Sequence, residues 1–388
     1  MNDRWRALDL LRFVAVVLMV QGHVFGELLD PSLRQGPWFL RHAYIHGLTA
    51  PMFFFSSGLA FGVATFGHWP LHTHWGPAMK RRFGRYGWLL FIGYMLSLPG
   101  LSFHYLLTSV SAETTRVFFG VDALRNIAAA LAVIQGLVWL TKKQRPFIAT
   151  VAALGVVLVF GAPSVWRLPV EQWLPIGIAA YVNVDTGSIF PLFPWMGFIC
   201  AGVVAAYLSV DRQGLGFKGR RALGFATVGF VLWLVAHQLQ ESGVNPFGEH
   251  VYWKTSPIFF FTRLGLILLG FAVLCAYETY WSRPRERDNA QGNPEKGHLL
   301  QRIGQETLVI YVVHLIVLYG SPLHRGLTAP YEATLGIGAA SVVAVLVLIV
   351  STAVALGWAS ARQRWPERFR LLQYALAATV LLIALVKP

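Results

Sequence analysis

Long apolar segments, each near the length that crosses a bilayer, follow one another along the whole chain. A membrane-spanning helix needs about 20 consecutive apolar residues, and the pattern predicts eleven spans. They cover, to within a few residues, 7–28, 43–66, 86–108, 120–140, 147–162, 188–210, 221–240, 256–279, 304–320, 333–359 and 371–387. The prediction is an all-α polytopic membrane protein with a single transmembrane domain over residues 1–388. A polar stretch within it, 281–300, contains Gly and Pro and is expected to be a flexible cytoplasmic linker.

The loops between these spans differ in charge in a regular alternation. Basic residues concentrate near positions 4–6, 80–85, 142–145, 212–221, 283–302 and 362–370, and the loops in between hold few Lys or Arg. Such an excess marks the cytoplasmic loops of multi-pass membrane proteins. The alternation places the N-terminus in the cytoplasm and the C-terminus outside. It predicts a multi-pass protein of the cell (inner) membrane, with the lipid bilayer as a partner.

Composition narrows the class further. The chain has 388 residues, of which 55% are hydrophobic and 13% charged, which excludes an ordinary soluble domain. Its net charge of +14 is spread over the loops, so no nucleic-acid partner is expected. Cys200 and Cys275 both fall in apolar runs, which argues against disulfides and thiolate metal sites. The first span lacks a small-residue cleavage site and is interpreted as a retained helix, not a signal peptide.

One face of the first span is polar. Asp9 and Arg12 are three residues apart and His23 and Glu27 four, spacings that share a helical face. His23 follows Arg12 by about three turns, so it lies above Arg12 on nearly the same face, roughly 16 Å away. Charged side chains in a bilayer usually face a bundle interior and mark a functional site. The alternative is that Arg12 extends to the membrane surface and His23 fills an interfacial position.

Further polar side chains fall inside other predicted spans. Asp122 and Arg125 are three residues apart in the fourth span, Arg263 lies in the eighth, and Tyr311 and His314 are three apart in the ninth. Each alone fits a structural pair. Together with the first span they predict a polar interior that supports the site.

A cluster of loop histidines raises the question of a metal. His68, His72 and His74 lie close together in sequence, but in a short loop without a carboxylate partner. No metal is therefore expected.

Two regions depart from regular helix. Pro51, in the second span, cannot donate to the helix ladder and frees the carbonyl of Gly47, which is tolerated where it lines a cavity or packs on another helix. Residues 163–194 are rich in proline and predict an ordered external or re-entrant cap, with a plain loop as the alternative.

Several segments resemble, in order, motifs of the heparan-α-glucosaminide N-acetyltransferase-like family. They read RALDLLRFVAVVLMVQGH, HAYIHGLTAPMFFFSSG, GVDALRNIAAALAV, FPLFPWMGFICAG, TSPIFFFTRLGLILLG and IGQETLVIYVVHL, and they span nearly the whole chain. The chain also resembles the acyltransferase-3 family, which has an arginine, ten residues and a histidine on its first span, and a cytoplasmic RxxR element. Arg12 to His23 and Arg82-Phe-Gly-Arg85 are similar to these. The chain is identified as a member of the wider transmembrane acyltransferase group.

The resemblance implies an enzyme that moves an acyl group from cytosolic acetyl-CoA (acyl-CoA) to an extracytoplasmic sugar hydroxyl or amine. The active histidine would fall on His42. His46 stands where the eukaryotic members of the first family tend to have another polar residue, and His23 where they have Asn. The choice of base stays open, with His42 slightly preferred and His23 holding the acceptor or the thioester carbonyl.

The chemistry of acyl transfer points to the same residues. Histidine suits the removal of the acceptor's proton near neutral pH, and Glu27 is expected to orient the His23 ring. The donor's phosphates are anionic, so clustered arginines can hold them. The expected donor-binding residues are Arg12, Arg81, Arg82 and Arg85. The alternative for the loop arginines is a topology signal alone.

Two other classes of function compete with acyl transfer. A transporter would use Asp9, Arg12, His23 and His314 as a substrate or proton path, but no inverted repeat or matched pair of broken helices is evident. A non-catalytic scaffold is disfavoured by the buried ionisable stripe.

Overall fold

Helices dominate the chain, as expected where a bilayer leaves no water to satisfy backbone groups. The computed structural model describes residues 5–209, 219–248, 250–282, 299–321 and 324–387. The α-helices of the described residues are α1 (Arg6–Leu28), α2 (Pro37–His46), α3 (Thr49–Phe66), α4 (Trp69–His72), α5 (Pro77–Ser97), α6 (Phe103–Thr108), α7 (Ala112–Phe119), α8 (Ala123–Thr141), α9 (Gln144–Val165), α10 (Ile176–Ala179), α11 (Leu192–Ser209), α12 (Gly219–Glu241), α13 (Tyr252–Thr255), α14 (Pro257–Tyr277), α15 (Leu299–Gln305), α16 (Thr307–Tyr319), α17 (Thr328–Tyr331), α18 (Ile337–Arg364) and α19 (Pro366–Val386). Two short strands, β1 (Gly320–Ser321) and β2 (His324–Arg325), pair antiparallel after α16. The prediction of an all-α polytopic membrane protein is confirmed.

The number of candidate spans in the described residues is smaller than the eleven predicted. Over the described ranges, nine helices are long and apolar enough to cross a membrane, and the bent pair of α15 and α16 would make ten. The predicted span 86–108 is not among them. Its helix, α5, extends from Pro77 to Ser97 and is long enough to cross, but the basic residues in its first turns exclude it. The first turns of α5 carry four basic residues, Lys80, Arg81, Arg82 and Arg85. The orientation of the termini stays a prediction.

Three irregular regions were predicted. Pro51 lies in the first turn of α3, after a break between α2 and α3, where a missing N–H leaves no helix bond unmade. The stretch 163–194 is ordered: the buried Asn183 donates to the Leu168 carbonyl (3.0 Å), and Ser188 donates to the Ala180 carbonyl (2.6 Å). Most of the predicted linker 281–300 lies outside the described residues.

The chain divides into two units. The first contains Phe53–Cys275 with Ala384–Pro388, and the second contains Trp5–Met52 with Ala276–Ile383. In the first unit, α9 and α11 pack along each other and α3 lies directly against α11. Gly58 and Gly202 permit that approach, since a Cβ on either would overlap the backbone of the facing helix.

The second unit is built around α1, which packs on α15, α16 and α18. The amide of Ala7 donates to Glu278 Oε2 (3.0 Å), and Gln305 Nε2 donates to Asp9 Oδ2 (3.3 Å). The first turns of α1 are therefore held by side chains from the last third of the chain.

The other end of α1 is held by backbone bonds. The amides of Ala333 and Leu335 donate to the carbonyls of Glu27 (2.9 Å) and Leu28 (2.8 Å). These bonds satisfy carbonyls that a helix leaves without an internal partner at its C-terminus. Both ends of α1 are thus fixed within the second unit.

The helix that carries His314 begins at a sharp break. α15 and α16 meet at an angle of 74° around Glu306. Glu306 is buried and forms an ion pair with Arg362 of α18. This ion pair holds the bend between α15 and α16 against α18.

Candidate active site: a histidine cluster on three helices

Four histidines of the second unit lie next to one another, His23 on α1, His42 and His46 on α2, and His314 on α16. The ring centroid of His23 is 5.1 Å from that of His314 and 6.2 Å from that of His46. The rings of His42 and His46 are nearly parallel with centroids 6.2 Å apart. Packing of α1 on α2 and α16 therefore assembles the cluster from distant parts of the sequence.

The hydrogen bonds of His314 fix which ring nitrogen of His23 carries the proton. His314 Nδ1 lies 3.1 Å from the Ile310 carbonyl, which only accepts, so Nδ1 must be the donor. In neutral His314, Nε2 is then an acceptor, and it lies 2.9 Å from His23 Nδ1. His23 therefore donates from Nδ1 and keeps the lone pair on Nε2. This is the state in which a histidine accepts a proton from a substrate.

The Glu27 carboxylate is hydrogen-bonded to Tyr319, and the His23 ring is hydrogen-bonded to His314. Glu27 Oε1 accepts its bond from the Tyr319 hydroxyl at 2.9 Å. His314 is therefore the residue that can orient the His23 ring, a role that the sequence predicted for Glu27. Glu27 and Tyr319 instead link the end of α1 to the end of α16.

His46 lies against the backbone of α1. Its Nδ1 donates to the Leu18 carbonyl at 3.1 Å, which leaves the lone pair of the neutral ring on Nε2. The ring occupies the space where Gly22 has no side chain, and a Cβ at Gly22 would overlap it. The glycine before His23 is therefore a requirement of the cluster.

His42 lies in an aromatic setting at the same cluster. Its Nε2 donates to Gln21 Oε1 at 2.9 Å, and Phe25, Phe39 and Trp38 surround the ring with centroids 5.0, 5.5 and 6.2 Å away. Its Nδ1 is buried and has no hydrogen-bond partner in the described part of the chain. His42 thus also holds a lone pair inside the cluster.

The remaining polar residues predicted for the second unit lie around this cluster and along α1. The Tyr311 ring meets that of His314 edge-on, with centroids 5.6 Å apart. Asp9 is buried and bonded to Gln305. Arg12 is half-buried on α1, between Asp9 and His23 in sequence.

Arg82 of the first unit lies in a polar pocket. It donates to Gln135 Oε1 (2.8 Å) and Thr65 Oγ1 (3.1 Å), and its guanidinium stands 4.7 Å above the Phe61 ring. His72 Nε2 is 3.4 Å away. Burial, and then the Arg82 charge, lower the pKa of His72 to about 4.

The two other arginines of this loop differ from Arg82. Arg81 and Arg85 are exposed, whereas Arg82 is half-buried. Of the three arginines predicted to bind the donor, Arg82 therefore points into the protein, and Arg81 and Arg85 lie on its surface.

Asp122 and Arg125 form a structural clamp in the first unit. Arg125 is fully buried and donates to the carbonyls of Phe118 (2.7 Å) and Gly93 (2.8 Å), among others. Asp122 caps the first turn of α8 and lies 3.7 Å from the Arg125 Nε. The pair joins α5 to the start of α8.

Arg263 is likewise a buried residue of the first unit. It lies on α14 with its guanidinium 5.1 Å from the Phe259 ring and 5.8 Å from the Trp253 ring. These distances are in the range of cation–π contacts.

Over the described ranges, no group of three His, Cys, Asp or Glu side chains has an arrangement that could hold a metal ion.

The family of the chain follows from a comparison with known protein families. A family model described as an acyltransferase domain matches residues 5–358 and so includes the whole histidine cluster. The chain belongs to the acyltransferase-3 family. This is the second of the two resemblances found in the sequence; the resemblance to the heparan-α-glucosaminide N-acetyltransferase-like family is not confirmed by the comparison. No curated protein matches the chain.

The acyltransferase contains site residues that the sequence did not single out. Gln21 and Tyr319 hold His42 and Glu27, and Gly22 makes room for His46. Gln21 carried a signal, since it is polar within an apolar run next to the His23 stripe. No such signal in the sequence marked Gly22 or Tyr319, because their roles depend on the packing of α1 against α2 and α16.

Proposed function

We propose that this acyltransferase moves an acetyl or other acyl group from cytosolic acyl-CoA to an extracytoplasmic sugar hydroxyl or amine, with His23 as the general base. The observation that carries the proposal is the chain of hydrogen bonds from His23 Nδ1 through His314 to the Ile310 carbonyl. It leaves the His23 Nε2 lone pair for the acceptor. The motif resemblance favoured His42, whereas the hydrogen bonds favour His23.

The proposed step transfers one proton and one acyl group. His23 Nε2 takes the proton from the acceptor hydroxyl or amine as that atom attacks the thioester carbonyl. The carbon–sulfur bond then breaks, and the CoA thiolate receives the proton from the imidazolium. His23 returns to its neutral form, and no other reactant is needed.

His314 acts as a positioning residue in this scheme. It holds the His23 ring in one tautomer and accepts a stronger hydrogen bond when His23 becomes positively charged. The carboxylate of a serine-protease triad has a comparable role toward its histidine. Here a neutral imidazole performs it, so no buried carboxylate is needed beside the base.

His42 and His46 are proposed to bind the acceptor. Their lone pairs, on Nδ1 of His42 and Nε2 of His46, are suited to accept hydrogen bonds from sugar hydroxyls. The aromatic side chains around His42 supply an apolar wall of the kind found in small-molecule sites.

The donor is proposed to be held by its phosphates at the exposed Arg81 and Arg85. Arg82, bonded to Thr65 and Gln135, fixes the helix that carries them. Arg12, on the same face of α1 as His23, is proposed as a further donor-binding residue. The inner membrane is the proposed location, because the donor is then cytosolic and the acceptor external.

The test is acyl transfer by purified protein in lipid nanodiscs, with labelled acetyl-CoA and a panel of amino sugars and oligosaccharides. His23→Gln should lower turnover by about 10²–10⁴-fold, the usual contribution of a general base, with little change in acetyl-CoA binding. His237→Gln is the matched control, since His237 stacks on Trp233 of α12 in the first unit. Transfer that survives in His23→Gln would refute this base. A protein that transports a labelled sugar but never acylates one would support the transporter alternative.

A further inference from the structure

A cavity of about 500 Å³ lies between helices of the first unit. Its walls come from α9, α11, α12 and α14, with Phe55 of α3, and they include Gly155, Ala201, Gly224 and Phe260. All its lining residues belong to the first unit, whereas the histidine cluster belongs to the second. The cavity is therefore separate from the residues proposed for the chemistry.

Small residues on facing helices create this space. A Cβ at Gly224 of α12 would meet no heavy atom within 4 Å, so the helix leaves a gap there. Three apolar residues at the cavity are strongly exposed, Val156 at 56%, Val228 at 52% and Leu208 at 71%. The helices that bear them are candidate spans. Through these residues the cavity opens to the surface that faces lipid.

Among the described residues that line the cavity, Arg221 is the one that carries a charge. It lies at the start of α12, and its guanidinium donates to the carbonyl of Ser209 at the end of α11. Apart from Ser209 and Cys200, the other lining residues are apolar or glycine. The cavity is thus a narrow apolar space with a cation at the helix ends, where a bilayer has its headgroups.

We propose that this cavity binds an anionic glycerophospholipid, with one acyl chain between α11 and α12 and the phosphate at Arg221. The cavity volume lies in the range of small-molecule sites, and basic pockets between membrane helices hold anionic lipid headgroups. A guanidinium binds phosphate oxygens by charge-assisted hydrogen bonds. A zwitterionic lipid would leave its own cation beside Arg221, so the charge favours an anionic headgroup.

Photocrosslinking tests the position of the lipid. Phosphatidylglycerol with a diazirine in one acyl chain is added to the purified full chain in detergent, and crosslinked peptides are mapped by mass spectrometry. Crosslinks are expected in 197–209 and 221–232, and unlabelled phosphatidylglycerol should compete with them better than phosphatidylcholine does. Equal competition by phosphatidylcholine would overturn the proposal. Displacement by long-chain acyl-CoA but not by phosphatidylglycerol would assign the cavity to the donor and would also overturn it.

Three variants separate the acyl chain from the headgroup. Gly224→Leu fills the cavity and should abolish the crosslinks, while Gly270→Leu, at an equally open glycine of α14 outside the cavity, should preserve them. Arg221→Gln should weaken binding of phosphatidylglycerol about ten-fold, or about 1.4 kcal/mol, and weaken binding of phosphatidylcholine less, because the choline cation already opposes the attraction to Arg221.

Binding can be followed a second way, as the lipid-dependent rise in melting temperature, which a ligand of the folded state produces. Phosphatidylglycerol should raise the melting temperature of the wild type and of Gly270→Leu. Loss of the effect in Gly270→Leu, or its retention in Gly224→Leu, would refute the site. If Gly224→Leu does not fold, Arg221→Gln decides the question by itself.

Discussion

The backbone of Gly22 on α1 and the imidazole of His46 on α2 occupy neighbouring space that no side chain at position 22 can share. Gly22→Ala should therefore displace the His46 ring and lower acyl transfer about ten-fold, which corresponds to about 1.4 kcal/mol of barrier. Turnover measurements on the purified variant check this.

Two comparisons make that prediction specific. Gly26 lies one turn further along α1 with no heavy atom within 4 Å of an added Cβ, so Gly26→Ala should be neutral or slightly stabilising. If His46 carries the effect, Gly22→Ala should cause no further loss in a His46→Ala background. A full additional loss there would assign the effect to the helix instead.

His314 is predicted to act through the tautomer of His23. His314→Leu removes the acceptor for His23 Nδ1–H and should lower turnover about 10²-fold with little change in the KM for the donor. His314→Gln retains an oxygen that can accept this bond, so it should recover part of the rate. Equal rates for the two variants would contradict the positioning role. Their melting temperatures show whether packing alone explains the loss.

The arginines near the start of α5 should divide into two classes. Arg81→Gln with Arg85→Gln should raise the KM for acetyl-CoA about ten-fold at unchanged kcat, since an interaction made equally in the ground and transition states affects KM alone. Arg82→Gln should lower the melting temperature instead, because it leaves Gln135 and Thr65 without their donor. Lys143→Gln, at another exposed basic position, is the control. An unchanged KM in the double variant would show that Arg81 and Arg85 do not bind the donor and would leave only their role in membrane topology.

His72 should make stability depend on pH in a definite direction. Its pKa is lowered from 6.5 to about 4, first by burial and then by Arg82. The stabilisation from the neutral ring is therefore complete above pH 6.5 and is lost as the pH falls from 6.5 to about 4. Melting temperatures of His72→Gln should fall less over this range than those of the wild type. His74→Gln, at an exposed neighbour, should follow the wild type; a parallel decline of His72→Gln and the wild type would contradict the assignment.

Membrane orientation is open to a direct test. Reporter fusions after Lys142 and after Tyr331 should report the cytoplasm and the outside, respectively, if the loop charges set the topology. A fusion after Ser109 decides whether α5 crosses the membrane, and it should report the outside. A cytoplasmic signal at Ser109 would remove α5 from the spans and reverse every later side.

The sequence was sufficient to predict the helical membrane architecture. It also singled out all four histidines of the cluster. Their pairing could not be read from it, because His23 and His314 meet only through helix packing across 291 positions. Glu27 was predicted as the partner of His23 because the spacing of residues along a helix shows which of its own side chains are neighbours. The spacing does not show which side chains of other helices are near.

For the same reason, the sequence could not separate the roles of the loop arginines. A basic loop has the same sequence pattern whether its side chains bind phosphate, set topology or point inward. Arg82 points inward because Gln135 of α8 and Thr65 of α3 supply acceptors, and both are remote from it in sequence. Likewise, Arg125 donates to backbone carbonyls, and such acceptors leave no trace in the side-chain pattern.

The order of synthesis gives the position of α1 a consequence for biogenesis. α1 carries Asp9, Arg12 and His23, and it is synthesised well before α15, α16 and α18, against which it packs. Until then these polar groups must be accommodated by the insertion machinery or by transient neighbours in the bilayer. Nascent chains that stop before α16 lack His314 and are expected to be inactive and to be recognised by membrane quality control.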